Sequence, residues 1–177
     1  IYFNMHITSF EGISIDSIWE EVLQSAIKST VEMVETAEEY GITLTIENNP
    51  SGAFSMPEEI SKLLENVDKA YVCLDVGHAV IAYSKRGGNP DNYTDILNSW
   101  LNTIPKNRLI IVHVHDFKPL CRGKVVDHIL IGNGICDFKK VVKMLKSPSN
   151  LKYVNFEVFR RTVDGGNIKP QDLREYV

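Results

Sequence analysis

With 177 residues, 44% hydrophobic and 24% charged, the chain has enough apolar material for one core and is expected to form a single domain, 1–177. A formal charge of −4 lacks the basic footprint of a nucleic-acid binder, and no run approaches the roughly 20 apolar residues that span a bilayer. The start, Ile1-Tyr2-Phe3-Asn4-Met5-His6, has no basic n-region or cleavage signal, and Cys73, Cys121 and Cys136 show no paired spacing. A cytoplasmic protein with free thiols and a small-molecule substrate is expected.

The first strand, through His6, is followed by a plausible capping box at Ser17 and Glu20 and by a helical stripe: Ile18, Val22, Ala26, Met33, Val34 and Ala37. That stripe stops before Gly41. A second strand ends at Glu47, and Ser55-Met56-Pro57-Glu58 reads as a second box opening a short helix with Ile60, Leu63 and Leu64. Strand three ends at Asp75. Helical residues then break at Gly87-Gly88-Asn89-Pro90, and resume through Tyr93, Ile96, Leu97, Trp100 and Leu101 until Pro105. Strand four runs through His115, a long loop is expected over 117–135, and a helix holds Phe138, Val141, Val142 and Leu145. Strand five, Tyr153 to Glu157, and helical residues from Pro170 close the chain.

Strand side chains alternate between faces, so one parity gathers Phe3, Met5, Leu44, Ile46, Val72, Leu74, Ile110, Val112, Val114, Val154, Phe156 and Val158. This set suits packing under helices. The opposite parity gathers Asn4, His6, Thr43, Thr45, Glu47, Tyr71, Cys73, Asp75, Ile111, His113, His115, Tyr153, Asn155 and Glu157, with polarity rising toward each C-terminal end. A parallel sheet covered by helices should be apolar on both faces, so an acidic, imidazole-bearing mouth calls for a ligand. A metal held at the mouth of a barrel accounts for it.

Alternating strands and helices predict parallel βα units. A closed barrel of this type has eight strands and about 250 residues, more than this chain supplies. An open doubly wound sheet is the alternative, but Thr8-Ser9-Phe10-Glu11-Gly12 offers no GxGxxG turn for a phosphate. The preferred fold class is therefore α/β, a parallel (β/α) TIM barrel lacking its first three units, with the open edges covered by further residues or a homo-oligomeric partner.

The blocks Thr45-Ile46-Glu47-Asn48, Cys73-Leu74-Asp75-Val76-Gly77-His78, Val112-His113-Val114-His115-Asp116, Asp127-His128 followed by Gly132-Asn133-Gly134, and Phe156-Glu157 together resemble the xylose-isomerase-like TIM barrels. That superfamily contains sugar phosphate isomerases and epimerases, hydroxypyruvate isomerases, inositol-catabolism enzymes and endonuclease IV repair enzymes. The resemblance implies that Glu47, Asp75, His113 and Glu157 are metal ligands, a mainly oxygen set suited to one divalent ion: Mn²⁺, Mg²⁺ or Co²⁺, with Zn²⁺ admitted. It also implies that Glu47 and Glu157 are the catalytic acid/base pair of an isomerase or epimerase working on a sugar, sugar phosphate or hydroxy-ketone through an enediolate. His6, His78, His128 and His115 then fall to substrate binding or support, and a shift of the ligand from His113 to His115 stays open.

Two further readings remain. One is an endonuclease IV-like hydrolase of abasic DNA, in which histidines matching His6, His78 and His128 bind additional zinc; the loop Gly132-Asn133-Gly134, without the family's central glutamate, and Asp127 directly beside His128 depart from that pattern. The other is an inactive barrel that keeps its metal site. Among the remaining residues, Gly77 is expected to let the chain turn, Asn48 and Asn49 to shape the turn after Glu47, Trp19 and Trp100 to pack, and Cys73 to be a core thiol. Lys139-Lys140 and Arg160-Arg161 read as solvated basic pairs, with Arg160 a weak phosphate candidate.

Overall fold

The computed structural model describes residues 1–7, 17–148, 150–160 and 162–163. Five parallel strands, β1 (Tyr2–His6), β2 (Thr43–Glu47), β3 (Tyr71–Asp75), β4 (Leu109–Val114) and β7 (Tyr153–Phe156), lie side by side in that order. Their connections carry α1 (Trp19–Glu39), α2 (Pro57–Leu64), α3 (Val76–Lys85), α4 (Tyr93–Thr103) and α5 (Phe138–Met144). The sheet curls strongly. Edge strands β1 and β7 would be about 19 Å apart across four flat inter-strand steps, yet the Tyr2 and Tyr153 rings meet at 5.2 Å in an edge-to-face pair. The result is a half-barrel, and among the described residues the helices cover its convex face.

That convex face is the predicted apolar parity. Leu44, Ile46, Val72, Leu74, Val112 and Val114 are buried in one cluster with Ile60, Leu63, Val76, Ile96, Leu97 and Trp100 from the helices. The concave face starts at its N-terminal end with a smaller apolar floor of Cys73, Ile110 and Ile111, flanked by Tyr2 and Tyr71. Ile110 was expected outside. A bulge moves it: Val72 pairs with Leu109 but Cys73 pairs with Ile111, leaving Ile110 as the extra residue that breaks alternation.

Helix boundaries differ from the sequence reading by single residues, and each difference has a cause. In α1, Ile18 occupies the N-cap position without a side-chain cap, so Ser17 lies one residue outside the expected box. Its C-terminus ends in a Schellman turn: Ile42 N–H donates to Ala37 O (2.8 Å), Gly41 N–H to Glu38 O (3.0 Å), and Gly41 takes φ +65°. In α2 the box is shifted by one. Pro57, which lacks an N–H, takes the first helical position, so Met56 is the cap and Glu59 rather than Glu58 accepts the N–H groups of Ser55 and Met56.

The expected loop over 117–135 instead contains an antiparallel ribbon, β5 (Asp116–Pro119) with β6 (Val125–Ile129), turned by a 3₁₀ segment at Cys121–Gly123. Its strands are too short and too polar to show a periodicity of two in the sequence. The helical residues expected from Pro170, together with Arg161, lie outside the described residues. Among the described residues, no helix is long and apolar enough to cross a membrane.

Packing is uneven: Trp100 of α4 is 1% exposed in the helix-side core, whereas Phe3, Val154 and Phe156 on the edge strands are 52%, 41% and 68% exposed. Trp100→Ala is expected to cost about 3–5 kcal/mol in urea unfolding, because it empties a full indole from the core. Phe156→Ala, already facing solvent, is expected to change stability by less than about 0.5 kcal/mol.

Candidate metal centre

Each strand delivers a polar residue to the same C-terminal rim: His6 ends β1, Glu47 ends β2, Asp75 ends β3, His113 lies next to the end of β4, and Glu157 follows β7 directly. The register pairs His6 with Glu47 and Asp75 with His113, whereas Glu47 pairs with Cys73 and His113 with Asn155, so Asp75 and Glu157 stand further along the chain than the residues paired with their neighbours. One ligand atom from each of Glu47, Asp75, His113 and Glu157 lies within 4.8 Å of every other. From Nδ1 of His113 the distances are 2.8 Å to Glu157 Oε2, 3.5 Å to Glu47 Oε2 and 3.9 Å to Asp75 Oδ2. Donors sharing an octahedral ion at about 2.1 Å are separated by about 3 Å when adjacent and about 4.2 Å when opposed. The spacing fits a divalent cation.

Two atoms carry the fit further. Nδ1 of His113 and Oε2 of Glu157 are buried without a hydrogen-bond partner, although they are 2.8 Å apart, because the imidazole N–H direction is not aligned with the carboxylate. Orphaned buried polar atoms are costly, and a shared ion would satisfy both. The electrostatics agree. Burial opposes a charge on His113, but Cys73, Glu157 and Glu47 around it push its pKa up to about 12. Burial likewise opposes the Glu47 carboxylate, but His113 and His6 draw it down to about 2, and His113 and His128 hold Glu157 well below the usual carboxylate range. The surroundings of His113 therefore favour positive charge at this point, as a bound cation would supply.

The surrounding side chains fix these groups. Asn4 donates to Glu47 Oε2, and Glu47 Oε1 also faces His6 Nε2 (3.3 Å) and His78 Nδ1 (3.4 Å). Asn48 clamps the backbone of Asp75, donating to its carbonyl (3.1 Å) and accepting its N–H (2.8 Å). Asn49 donates to the carbonyls of Ile7 and Ala53 and presents its oxygen to His6 Nδ1 at 3.1 Å. Neither asparagine has the unusual backbone angle expected of it; both act as side-chain cross-links between strand ends. Sequence pattern alone does not separate that role from a turn role.

The other predicted histidines divide. His6, with a side chain 46% exposed, stands at the rim. His78, in the first turn of α3, places Nδ1 at 3.1 Å from the Asn48 carbonyl and Nε2 toward Asp127 (3.9 Å). His128 adopts a left-handed conformation, φ +53°, which breaks strand alternation and brings its Nδ1 to 3.1 Å from the carboxylate of its own neighbour, Asp127. Burial opposes a charge on His128, yet Asp127 and Glu157 raise its pKa to about 9. His115 is fully buried, and its Nε2 sits on Asp75, so it offers no surface to a substrate. Cys73 is also buried, its thiol pushed up to about 11 chiefly by burial. Gly77 does not make the expected turn: it lies inside α3, against the ring of His115.

With this geometry in place, comparison with known proteins is informative. A family model for xylose isomerase-like TIM barrels matches residues 2–175. The chain belongs to that family. The uncharacterised protein MJ1614 of Methanocaldococcus jannaschii is 27% identical over 158 residues, covering 89% of this chain and 55% of that protein. Among solved structures, a D-tagatose 3-epimerase-like protein superposes with a TM-score of 0.63 at 24% identity, over 99% of this chain and 61% of the other. The IOLI protein with a bound zinc atom superposes with a TM-score of 0.67 at 21% identity, over 90% of this chain and 54% of the other. This family member thus spans about half to three-fifths of these relatives, and the likeness to the solved structures establishes the barrel architecture.

Because only the neutral imidazole can ligate, binding of an ion near neutral pH should expel the proton that the metal-free site keeps on His113. Affinity for Mn²⁺ should therefore rise by about tenfold per pH unit from 6 to 8, the carboxylates being ionised throughout. Calorimetric titrations in buffers of different ionisation enthalpy should show about one proton released per ion; a pH-independent affinity would refute the account.

Proposed function

We propose that the chain carries the metal centre of a divalent-cation-dependent isomerase or epimerase, acting on a small sugar, sugar phosphate or related hydroxy-ketone through an enediolate. The observation that carries this reading is the buried, unpartnered pair His113 Nδ1 and Glu157 Oε2 within a four-donor cluster. Glu47, Asp75, His113 and Glu157 would hold the ion, whose chemistry is to polarise a substrate carbonyl and favour negative charge on its oxygen. Three oxygens and one imidazole suit Mn²⁺, Mg²⁺ or Co²⁺, and tolerate Zn²⁺.

The proton transfers fall to Glu47 and Glu157. They reach the centre from β2 and from the end of β7, with His113 between them, so a carbon held there has a carboxylate on each side. Glu157 is the more accessible, its side chain 30% exposed against 5% for Glu47. Both carboxylates are ionised at neutral pH and can accept a proton; a substrate that displaces water raises their basicity. His6 and His128 would donate to substrate hydroxyls, and His78, with Nδ1 3.4 Å from Glu47 Oε1, would support Glu47. Glu157→Gln should lower turnover by about 10²–10⁴-fold, tested with a panel of ketoses, their phosphates and hydroxypyruvate in Mn²⁺ or Co²⁺. Full activity in that variant would reject the assignment.

One observation favours a second reading, an endonuclease IV-like hydrolase. Donor groups also cluster as His6–Glu47–His78, Asp75–His78–His128 and His115–Asp127–His128, which overlap the main set and could hold further ions. The net charge of −4 opposes a DNA substrate. Elemental analysis after dialysis decides between them: one retained ion per chain supports the isomerase reading, and three zinc ions would replace it with the hydrolase.

A further inference from the structure

We infer that His115 is a positioning residue for Asp75, that Gly77 is glycine to give it room, and that the loop bearing Asp127 and His128 is mechanically linked to the ligand set through its ring. The inference rests on the reading of Asp75 as a cation ligand. His115 is fully buried and touches Asp75 twice, Nε2 lying 3.1 Å from Oδ1 and 3.1 Å from Oδ2. The backbone N–H of His128 donates to His115 Nδ1 at 2.8 Å. A nitrogen that accepts from an amide carries no proton, so the ring is the Nε2–H tautomer and its single proton points at the carboxylate. The nearby Asp116 carbonyl, 3.2 Å from Nδ1, is therefore a close neighbour and not an acceptor.

Three features hold the ring in that pose. It stacks on His128 with centroids 4.0 Å apart and planes 14° apart, and His128 in turn stacks on Phe159 at 4.5 Å and 4°. The next residue, Asp116, is fully buried and accepts N–H groups from Phe117, Gly132, Gly134 and Cys136, tying the following loop to the end of β4. On the opposite side the ring leans on the first turn of α3, where a Cβ at Gly77 would fall 2.1 Å from Cε1 and 2.9 Å from Nε2. Any side chain at 77 must push the imidazole away from Asp75. The left-handed conformation of His128 turns its N–H inward, a strained backbone geometry that the local bonding sustains.

A ligand carboxylate is usually oriented by such an outer hydrogen bond, and its loss weakens metal binding by about 10–100-fold. His115→Ala is expected to raise the Mn²⁺ dissociation constant by that factor, while His115→Gln, which keeps an amide donor on a similar stem, should stay within about tenfold of the parent chain. Gly77→Ala should match His115→Ala. In the double variant Gly77→Ala/His115→Ala the two losses should overlap and not add, since the methyl group then has no ring to displace.

In metal-free protein, ¹⁵N–¹H spectra should show His115 protonated at Nε2 alone, and Gly77→Ala should perturb that signal specifically, with circular dichroism confirming that each variant is folded. Strict additivity, a harmless Gly77→Ala, or failure of the glutamine variant to recover affinity while folded would overturn this role and leave Asp75 as a ligand. If the parent chain shows no saturable Mn²⁺ binding at all, the ligand reading itself falls, and this inference with it.

Discussion

Three carboxylates crowded into one barrel mouth are the constraint on which the rest of this structure depends. Glu47 and Asp75 are 4% and 0% exposed, and ionised groups so placed repel one another and lose their hydration unless positive charge or hydrogen-bond donors surround them. The fold supplies counter-groups: Asn4 donates to Glu47, which two imidazoles also face, a backbone N–H and the His115 ring stand at Asp75, and the rings of His113 and His128 lie 2.8 and 3.7 Å from Glu157 Oε2 without a hydrogen bond to it. Such an arrangement is expensive as scaffolding, and an apolar mouth would be the more stable design. Its retention at the C-terminal ends of parallel strands is what one expects where the barrel holds a ligand.

Asp75 illustrates how single residues are shared between fold and site. Its Oδ1 caps α3 through the N–H of His78 at 2.7 Å, its backbone is clamped by Asn48, and its carboxylate lies 3.1 Å from Nε2 of His115. A helix N-terminus also favours negative charge there. The run Asp75-Val76-Gly77-His78 thereby combines a strand end, a cap, a space for a neighbouring ring and a rim imidazole within one turn of chain. Few substitutions would satisfy all four demands.

What could be read from the sequence was whatever follows from periodicity along one strand. Parity in β1 to β4 and β7 separated the helix-covered face from the concave one and put ligand-type residues at the strand ends, while the choice of Glu47, Asp75, His113 and Glu157 among them came from the family resemblance; the structure brings those four together. What could not be read depends on contacts between segments distant in the chain. The reach of Asn49 to Ile7 and the 2.1 Å exclusion at Gly77 imposed by His115 leave no periodic trace. The bulge at Ile110 hides for the opposite reason, because isoleucine suits either face and gives alternation nothing to contradict. Likewise Phe159 reads as one more apolar residue until its ring is seen stacked on His128.

The half-barrel also separates two tasks that a closed barrel performs together. The four donors of the proposed cation site come from β2, β3, β4 and the end of β7, so that set lies within the curled sheet. Enclosure is not, because among the described residues β1 and β7 each pair on one side only, and the side chains flanking that arc, His6 and Glu157, are the more exposed members of the site. Holding a cation requires only convergent donors, whereas proton exchange at carbon gains greatly when water is excluded and charges are felt at low dielectric. Cation affinity should therefore be a property of these strands themselves, and the rate of the proposed isomerisation would depend on whatever wall faces them across the arc between Glu157 and His6.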